Sequence, residues 1–239
     1  MAPQSSSADP ILCAVLDAAA LGAKPFDAAL ALFQAGVDWI QLRDRSLEPD
    51  ALLQLTRLLV EARNRARSAE RIPRIIVNRR IDVALSAGAD GVHLGFDALD
   101  PAVAASLLQE GALIGVSLHS VQEVATLAEN AQGSHPFYAH LAPIWDPRSK
   151  PASRPALGLD LLSRASRLGP RILAQGGLDP ARAVQAIRAG ASGIAVTGIL
   201  GNVGNIENAA TAARQLRAAL DRRIQPGDQV LPGRDPVQP

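Results

Sequence analysis

Polar residues that could bind an anion stand at the end of an otherwise apolar segment, WIQLR. Arg43 and Arg45 alternate there with Gln41. Because side chains alternate between the two faces of a strand, Gln41 and Arg43 project from the same face. Arginine is most often a solvated surface residue. Two arginines in this alternation nevertheless favour an anion-binding site.

Residues with acid–base chemistry occur in similar positions. His119 is the last residue of LIGVSLH and shares a strand face with Gly115 and Ser117. Imidazole titrates near neutral pH, so we predict that His119 transfers a proton. His93, inside GVHLG, is equally compatible with a buried structural histidine and with a substrate contact. Asn78, at the end of RIIVN, either lines the same site or bonds its own turn.

Two glycines, Gly176 and Gly177, separate an apolar segment from a helical pattern in ILAQGGLDPARA. Glycine is unfavourable at a strand end unless the backbone turns tightly or another group approaches it closely. The helix N-terminus that follows presents unpaired N–H groups, which suit an anion. Taken alone, the stretch favours a tight turn with nothing bound.

Eight segments of strand length alternate with helical patterns along the chain. The expected strands are residues 11–17, 38–43, 74–78, 91–95, 113–119, 137–145, 171–177 and 192–200. Glycines that match helix C-caps, and Asp-Pro pairs that match helix starts, separate them: Gly36, Gly88, Gly111, Gly169, Gly190, Asp100 and Asp179. Eight strand–helix repeats predict an α/β fold, a single (β/α)8 TIM barrel over residues 11–223.

Active sites of such barrels lie at the C-terminal ends of the strands, and phosphate is often bound after strands seven and eight. Gly177, Thr197 and Gly198 follow these two strands, so we predict that they form a phosphate cradle. Glycines on the lumen side of strands four and five, Gly91, Gly95 and Gly115, are expected to leave a cavity near the top of the barrel.

The charge balance gives no sign of a nucleic-acid or membrane partner. Lys and Arg number 24 against 23 Asp and Glu, a net charge of +1. The single cysteine, Cys13, lies in an apolar segment and is expected in the core. No signal peptide or membrane span is recognisable, so we expect a cytoplasmic protein. The terminal segments 1–10 and 224–239 are rich in Pro, Gly and Ser and are predicted to be disordered tails. A homo-oligomer remains open.

Several motifs, taken in order, resemble the thiamine phosphate synthase/TenI superfamily. The resemblance covers roughly residues 11–220 and rests on WIQLRDRS, IIVNRRIDVALSAGADGVHLG, IGVSLHS, APIWDPRSK and ILAQGGLDPARAVQAIRAGASGIAVTGIL. It implies the barrel fold and a small-molecule thiazole phosphate as substrate. By the same resemblance, Gly177, Thr197 and Gly198 hold the phosphate of that substrate. The residues implied for the pyrimidine diphosphate side are Gln41, Arg43, Arg45 and Asn78, with Ser117 and Lys150 nearby, and Ser149 is implied as a further substrate-binding residue.

The synthases of this superfamily join a pyrimidine diphosphate to the thiazole phosphate and bind Mg²⁺ through two acidic residues. Arg79 stands at the first of these positions. Ala98 stands at the second, in HLGFDA, where Phe96 replaces the usual glutamine. An asparagine without a following aspartate, together with SLHS, is closer to the TenI branch. The resemblance therefore implies a thiazole tautomerase, an isomerase without metal or cofactor, with His119 as its catalytic residue.

Two alternatives remain beside this prediction. The first is a thiamine phosphate synthase with a rearranged Mg²⁺ site, a transferase. The second is a non-catalytic regulatory protein that binds thiazole phosphate. Arg79 also has two interpretations: it joins Arg43, Arg45 and Lys150 in a cationic wall, or it points into solvent from the first turn of the next helix.

Overall fold

Eight parallel strands form a closed barrel in chain order. This computed structural model describes residues 9–95, 98–130, 135–146, 154–201 and 206–222. The strands are β1 (Ile11–Leu16), β2 (Trp39–Leu42), β3 (Arg74–Asn78), β4 (Gly91–Leu94), β5 (Leu113–Leu118), β6 (Phe137–Leu141), β7 (Arg171–Gln175) and β8 (Gly193–Val196). The predicted (β/α)8 barrel is confirmed.

Helices surround the barrel. They are α1 (Ala18–Leu21), α2 (Pro25–Gln34), α3 (Pro49–Ala66), α4 (Ile81–Ala87), α5 (Pro101–Leu107), α6 (Val121–Asn130), α7 (Gly158–Ser166), α8 (Pro180–Arg188), α9 (Gly198–Gly201) and α10 (Ile206–Asp221). The five glycines predicted near helix ends all have positive φ, from 69° at Gly88 to 109° at Gly169. The side chains of Asp100 and Asp179 accept hydrogen bonds from backbone N–H groups of the helices they precede.

Two strands are shorter than predicted by at least four residues. β6 ends at Leu141 rather than at residue 145, because Pro143 has no N–H to donate to the strand ladder. β8 ends at Val196, and the residues after Thr197 form the short helix α9 instead. Both corrections lie at the C-terminal ends of strands, where loops rather than sheet carry the site.

Strand alternation separates the outer core from the barrel interior. Ile40, Val92 and Ile114 point outward into the apolar cluster shared with the helices. The inward residues stack in layers contributed by alternate strands, as expected for this fold. Near the N-terminal end, the rings of Trp39 and Tyr138 meet edge to face, with centroids 5.0 Å apart. This half of the interior is filled by buried side chains.

An aspartate just before β2 ties the N-terminal rim together. Asp38 accepts a hydrogen bond from the backbone N–H of Leu12 at 2.8 Å. Its two oxygens also pair with Arg71 at 2.9 Å and with Arg217 at 3.0 Å. Through these contacts one carboxylate connects β1, the segment before β3, and α10. We infer that residues at this end of the barrel stabilise the fold and take no part in catalysis.

Other predictions fall partly beyond the described ranges. The predicted disordered tails, 1–10 and 224–239, lie outside them apart from Asp9 and Pro10. Among the residues described, no helix combines the length and apolar character needed to cross a membrane.

Candidate active site

A polar layer lies in the C-terminal half of the barrel interior. By strand register, Gln41, His93, His140 and Ala195 come from β2, β4, β6 and β8 and form one layer. The three polar members are only 1–2% exposed. The imidazoles of His93 and His140 have centroids 4.2 Å apart. We call these four residues the floor layer, because more exposed polar residues lie above it.

Gln41 and Asn78, both predicted for the site, contact each other. The Nε2 of Gln41 donates to the Oδ1 of Asn78 at 3.3 Å, and both side chains are buried. The Oε1 of Gln41 is buried and has no hydrogen-bond partner among the described residues. Asn78 therefore bonds a neighbouring strand rather than its own turn, and Gln41 retains a free acceptor inside the barrel.

His93 is held on both sides. Its Nε2 lies 2.8 Å from the Oγ of Ser117, and its Nδ1 lies 3.2 Å from the hydroxyl of Tyr138. Burial, with a smaller contribution from the positive charge of Arg43, lowers the pKa of His93 to about 3. His93 is therefore neutral near pH 7. Of the two interpretations from sequence, these contacts favour the buried structural histidine.

The cavity expected at Gly115 is not there, because aromatic rings occupy the space. A Cβ on Gly115 would overlap the phenol of Tyr138 and would lie 2.5 Å from the Nδ1 of His93. The glycine makes room for a neighbouring residue rather than for a ligand, and the prediction at this position was wrong.

His140 is a site residue that sequence reasoning missed. It projects inward from β6 two residues after Tyr138, and its Nε2 is buried without a hydrogen-bond partner among the described residues. Burial lowers its pKa, and the proximity of His93 lowers it further. The signal was present in FYAHL, where the alternation puts Tyr138 and His140 on one face.

His119 follows β5 directly and is half-buried. Its Nδ1 lies 2.6 Å from the carbonyl oxygen of Ala142, so Nδ1–H donates and Nε2 carries the lone pair in the neutral form. Its backbone N–H donates to Glu123 at 2.5 Å. Ser117, His119 and Glu123 line a groove of about 440 Å³ above β4 and β5. The structure thus brings Ser117 and His119 together.

The Gly-Gly pair forms a tight turn against the loop after β6. Gly176 and Gly177 have φ values of 100° and 62°, a region that residues with a Cβ rarely adopt. A Cβ on Gly177 would also lie 2.6 Å from the carbonyl oxygen of Asp146. The carbonyl of Gly177 accepts a hydrogen bond from Arg182 at 2.6 Å. Turn geometry and close approach therefore explain both glycines, and the phosphate cradle stays a prediction.

Thr197 and Gly198 lie at the adjacent strand end and are exposed. The amide Nε2 of Gln175, at the end of β7, approaches the Thr197 hydroxyl at 3.5 Å. The ends of β7 and β8 thus place Gln175 and Thr197 side by side. This pairing is compatible with the phosphate cradle predicted there.

The two arginines after β2 flank a carboxylate that organises their loop. Asp44 accepts hydrogen bonds from the backbone N–H groups of Ala18 at 3.0 Å and Ser46 at 2.8 Å. Burial opposes ionisation of Asp44, but these bonds outweigh it and its pKa is lowered. Partial burial lowers the pKa of Arg43, and the charge of Arg45 adds to this effect. Sequence reasoning did not identify Asp44.

Ser149 and Lys150, also predicted for the site, lie outside the described residues, as does Phe96. The loop APIWDPRSK is described only as far as Asp146.

The residues at the family's two acidic positions do not fit a Mg²⁺ site. Arg79 carries a cation, and Ala98 packs its methyl group against the apolar core. Mg²⁺ requires oxygen ligands, and neither side chain supplies one. Within the described ranges, no group of three or more His, Cys, Asp or Glu residues could hold a metal ion.

The backbone at Arg79 has an unusual conformation. It has a φ of 66° and is the only non-glycine residue with positive φ among those described. Its N–H donates to the carbonyl of His93 at 2.9 Å. The two interpretations of its side chain both stay open.

Fold and site together define a (β/α)8-barrel protein whose polar site opens at the C-terminal ends of its strands. A family model described as thiamine monophosphate synthase matches residues 12–200. The chain belongs to this family, within the thiamine phosphate synthase/TenI superfamily.

Individual relatives agree with the family. The thiamine-phosphate synthase of Chlorobium phaeobacteroides is 34% identical over 184 residues, which cover 77% of this chain and 84% of the relative. That of Mycolicibacterium smegmatis is 36% identical over 175 residues, 69% of this chain and 71% of the relative. A solved structure, thiamine phosphate pyrophosphorylase from Pyrococcus furiosus, has a TM-score of 0.72 at 21% identity and covers 88% of this chain and 95% of its own.

These relatives correct one prediction. The sequence favoured an isomerase, a thiazole tautomerase, because Arg79 and Ala98 replace the acidic residues. The relatives are instead named thiamine-phosphate synthase, which is a transferase. The isomerase prediction is therefore wrong, and the transferase alternative takes its place. Two substituted positions were given more weight than the similarity along the rest of the chain.

Proposed function

We propose that this protein is a thiamine-phosphate synthase. In that reaction the thiazole nitrogen forms a bond to the methylene carbon of the pyrimidine diphosphate. The bond from that carbon to the diphosphate oxygen breaks, and diphosphate leaves with the electron pair. The observation that carries the proposal is the alignment with synthases of this name at 34% identity over 77% of the chain.

The thiazole phosphate is proposed to bind above β7 and β8. Gly177 and Gly198 would offer backbone N–H groups, and Thr197 would offer its hydroxyl. The exposure of Thr197 and Gly198 supports this placement, since a ligand can reach both. Gln175, beside Thr197, is available to orient that hydroxyl.

The diphosphate is proposed to bind above β2, which only β1 separates from β8 in the closed barrel. The guanidinium groups of Arg43 and Arg45 suit phosphate oxygens, which they can bind in pairs. Their charge would stabilise the diphosphate as it leaves. Asp44 holds the loop that carries both arginines. Ser149 and Lys150, which follow β6 in the sequence, are proposed as further substrate-binding residues.

His119 is proposed as the residue that accepts a proton or a hydrogen bond from a bound substrate. Because its Nδ1–H donates to Ala142, the Nε2 atom is left for a substrate. Ser117, in the same groove, is proposed to contact the pyrimidine. No part of this description uses Mg²⁺, because Arg79 and Ala98 do not fit it.

A second candidate is a non-catalytic protein that binds thiazole phosphate, which the absence of oxygen ligands at Arg79 and Ala98 favours. One experiment separates the two. Purified protein is incubated with both substrates, with and without Mg²⁺, and thiamine phosphate and released diphosphate are measured by liquid chromatography. Equal amounts of both products support the synthase. Binding of thiazole phosphate in a calorimeter without any product supports the binder, and neither binding nor product refutes both.

A further inference from the structure

Two polar atoms in the floor layer lack a hydrogen-bond partner among the described residues. They are the Nε2 of His140 and the Oε1 of Gln41, on side chains that are 2% and 1% exposed. Buried polar atoms in proteins are nearly always paired, since an unpaired one costs the free energy of a lost hydrogen bond. A partner for these atoms is therefore expected from outside the described chain.

The third polar member of the layer does not compete for such a partner. His93 already contacts Ser117 with one ring nitrogen and Tyr138 with the other. Within the floor layer, both ring nitrogens of His93 on β4 are thus paired. Gln41 on β2 and His140 on β6 each keep one atom that is unpaired among the described residues. These strands stand on opposite sides of an eight-stranded barrel.

The missing partner must enter from the C-terminal end of the barrel. Below the floor layer, Cys13, Ile76, Leu173 and Tyr138 are completely buried and fill the interior. Above it, exposure increases toward the mouth, where Thr197 is exposed. The free atoms therefore lie at the bottom of the proposed substrate site.

The chemistry of the two atoms defines what they can bind. The Nε2 of Gln41 donates to Asn78, so its Oε1 requires an N–H or O–H donor. Burial lowers the pKa of His140, so its ring is neutral and offers one donor and one acceptor. A partner at this depth is thus expected to be uncharged, because burial disfavours charge, and flat, because it would lie against the rings of His93 and His140, whose planes are tilted by 37°. An amino-substituted nitrogen heteroaromatic ring meets these requirements.

We propose that His140 is a specificity-determining residue whose Nε2 forms a hydrogen bond to the amino-bearing heteroaromatic ring of the substrate. The identity of that ring rests on the proposed function, in which the pyrimidine carries an amino group and the thiazole does not. His140 thereby selects the pyrimidine and has no part in binding the thiazole phosphate.

The test measures binding without turnover. The probes are the pyrimidine alcohol, which has the ring without the diphosphate, and thiazole phosphate. His140→Leu keeps the bulk of the side chain and removes Nε2, whereas His140→Gln restores a donor and an acceptor. His135→Leu is the matched control, because His135 lies before β6 and donates only to the Ala112 carbonyl. Circular dichroism and thermal unfolding verify that each variant is folded.

Calorimetry should show the pyrimidine alcohol binding about tenfold more weakly to His140→Leu, with recovery in His140→Gln. Affinity for thiazole phosphate should stay unchanged in both, and His135→Leu should match the wild type for both probes. In wild-type protein labelled with ¹⁵N-histidine, the Nε2 resonance of His140 should shift when the pyrimidine alcohol is added. This resonance is readable even where a variant fails to fold.

Three results overturn the proposal: equal pyrimidine affinity in His140→Leu, an equal loss for both probes, or an unmoved ¹⁵N resonance at saturation. A wild-type protein that does not bind the pyrimidine alcohol also overturns it. These outcomes are independent of the synthase assay. If the protein forms thiamine phosphate but binds the pyrimidine equally well without His140, only this inference is refuted. If pyrimidine binding depends on His140 but no product forms, only the synthase proposal is refuted.

Discussion

Lowering the pH from 7 to 5 should destabilise the folded protein, by about 2 kcal/mol through the buried His93 and by a further amount through the buried His140. Burial lowers the pKa of His93 to about 3, and it lowers that of His140 as well. In the unfolded chain both imidazoles titrate near the ordinary value of about 6.5. The folded and unfolded states therefore bind different numbers of protons across this interval.

Whether acid stabilises or destabilises the fold depends on which state, folded or unfolded, binds the proton. Between pH 6.5 and about 3, the unfolded chain carries a proton on His93 that the folded protein excludes. Acid therefore favours unfolding, and each histidine contributes a slope of up to about 1.4 kcal/mol per pH unit. Above pH 6.5 both states are neutral at these residues, and the contribution to stability is complete.

Urea denaturation followed by circular dichroism at pH 7.0, 6.0, 5.5 and 5.0 measures this effect. Wild-type protein is compared with His140→Leu, which removes one titrating group, and with His135→Leu, which leaves the buried pair intact. The fall in unfolding free energy between pH 7 and pH 5 should be smaller in His140→Leu than in the wild type. His135→Leu should retain the dependence due to the pair. The same fall in wild type and His140→Leu would show that His140 is not held neutral by burial.

Three further predictions concern the C-terminal end of the barrel, where the site opens, and the N-terminal rim around Asp38. Thr197→Val removes one hydroxyl without changing side-chain bulk, and calorimetry should show thiazole phosphate binding about tenfold more weakly, because a charge-assisted hydrogen bond is lost. Asp38→Ala leaves the backbone N–H of Leu12 without its acceptor and takes from Arg217 one of its two carboxylate partners, the other being Asp221, so urea denaturation should show a loss of about 2 kcal/mol. Wild-type product formation should persist in excess EDTA, whereas Arg79→Asp combined with Ala98→Asp should introduce Mg²⁺ binding detectable by calorimetry, because it adds oxygen ligands.

Each of these has a control and a contrary result. Thr211→Val, on the surface helix α10, should not affect thiazole phosphate, and unchanged affinity in Thr197→Val would place the phosphate elsewhere. Asp50→Ala, exposed in the first turn of α3, should change stability far less than Asp38→Ala. Equal losses of unfolding free energy in the two variants would show that Asp38 has no special role in stabilising the N-terminal rim. Product that forms in the wild type only with Mg²⁺ would show that the metal binds through other residues.

The barrel was predictable because its signals are local. Segments of strand length recur eight times, and the glycines and Asp-Pro pairs between them act within a few residues of their own position. Gln41 and Asn78 were identified for a related reason, since an amide at the end of an apolar strand is unusual enough to be noticed. Their mutual hydrogen bond confirms that the strand faces were assigned correctly.

What sequence reasoning missed depends on contacts between distant segments. Gly115 was expected to leave a cavity, and only the structure shows Tyr138, from the next strand, filling that space. His140 looked unremarkable until the register placed it beside His93. Asp44 was passed over as a loop residue, although it connects the loops after β1 and β2. In each case the partner is more than twenty residues away along the chain, beyond the reach of periodicity.

The replacements at the two acidic positions and the floor layer belong to different parts of the site. Arg79 and Ala98 follow β3 and β4, outside the layer formed by Gln41, His93 and His140. A change from carboxylate to guanidinium at the mouth alters how a diphosphate is neutralised, but it leaves the buried groups that face a ring in place. If the protein is the proposed synthase, recognition of the ring and handling of the leaving group are therefore separable in it. A substrate can be bound in the same orientation while arginine takes over the charge that a metal would otherwise carry.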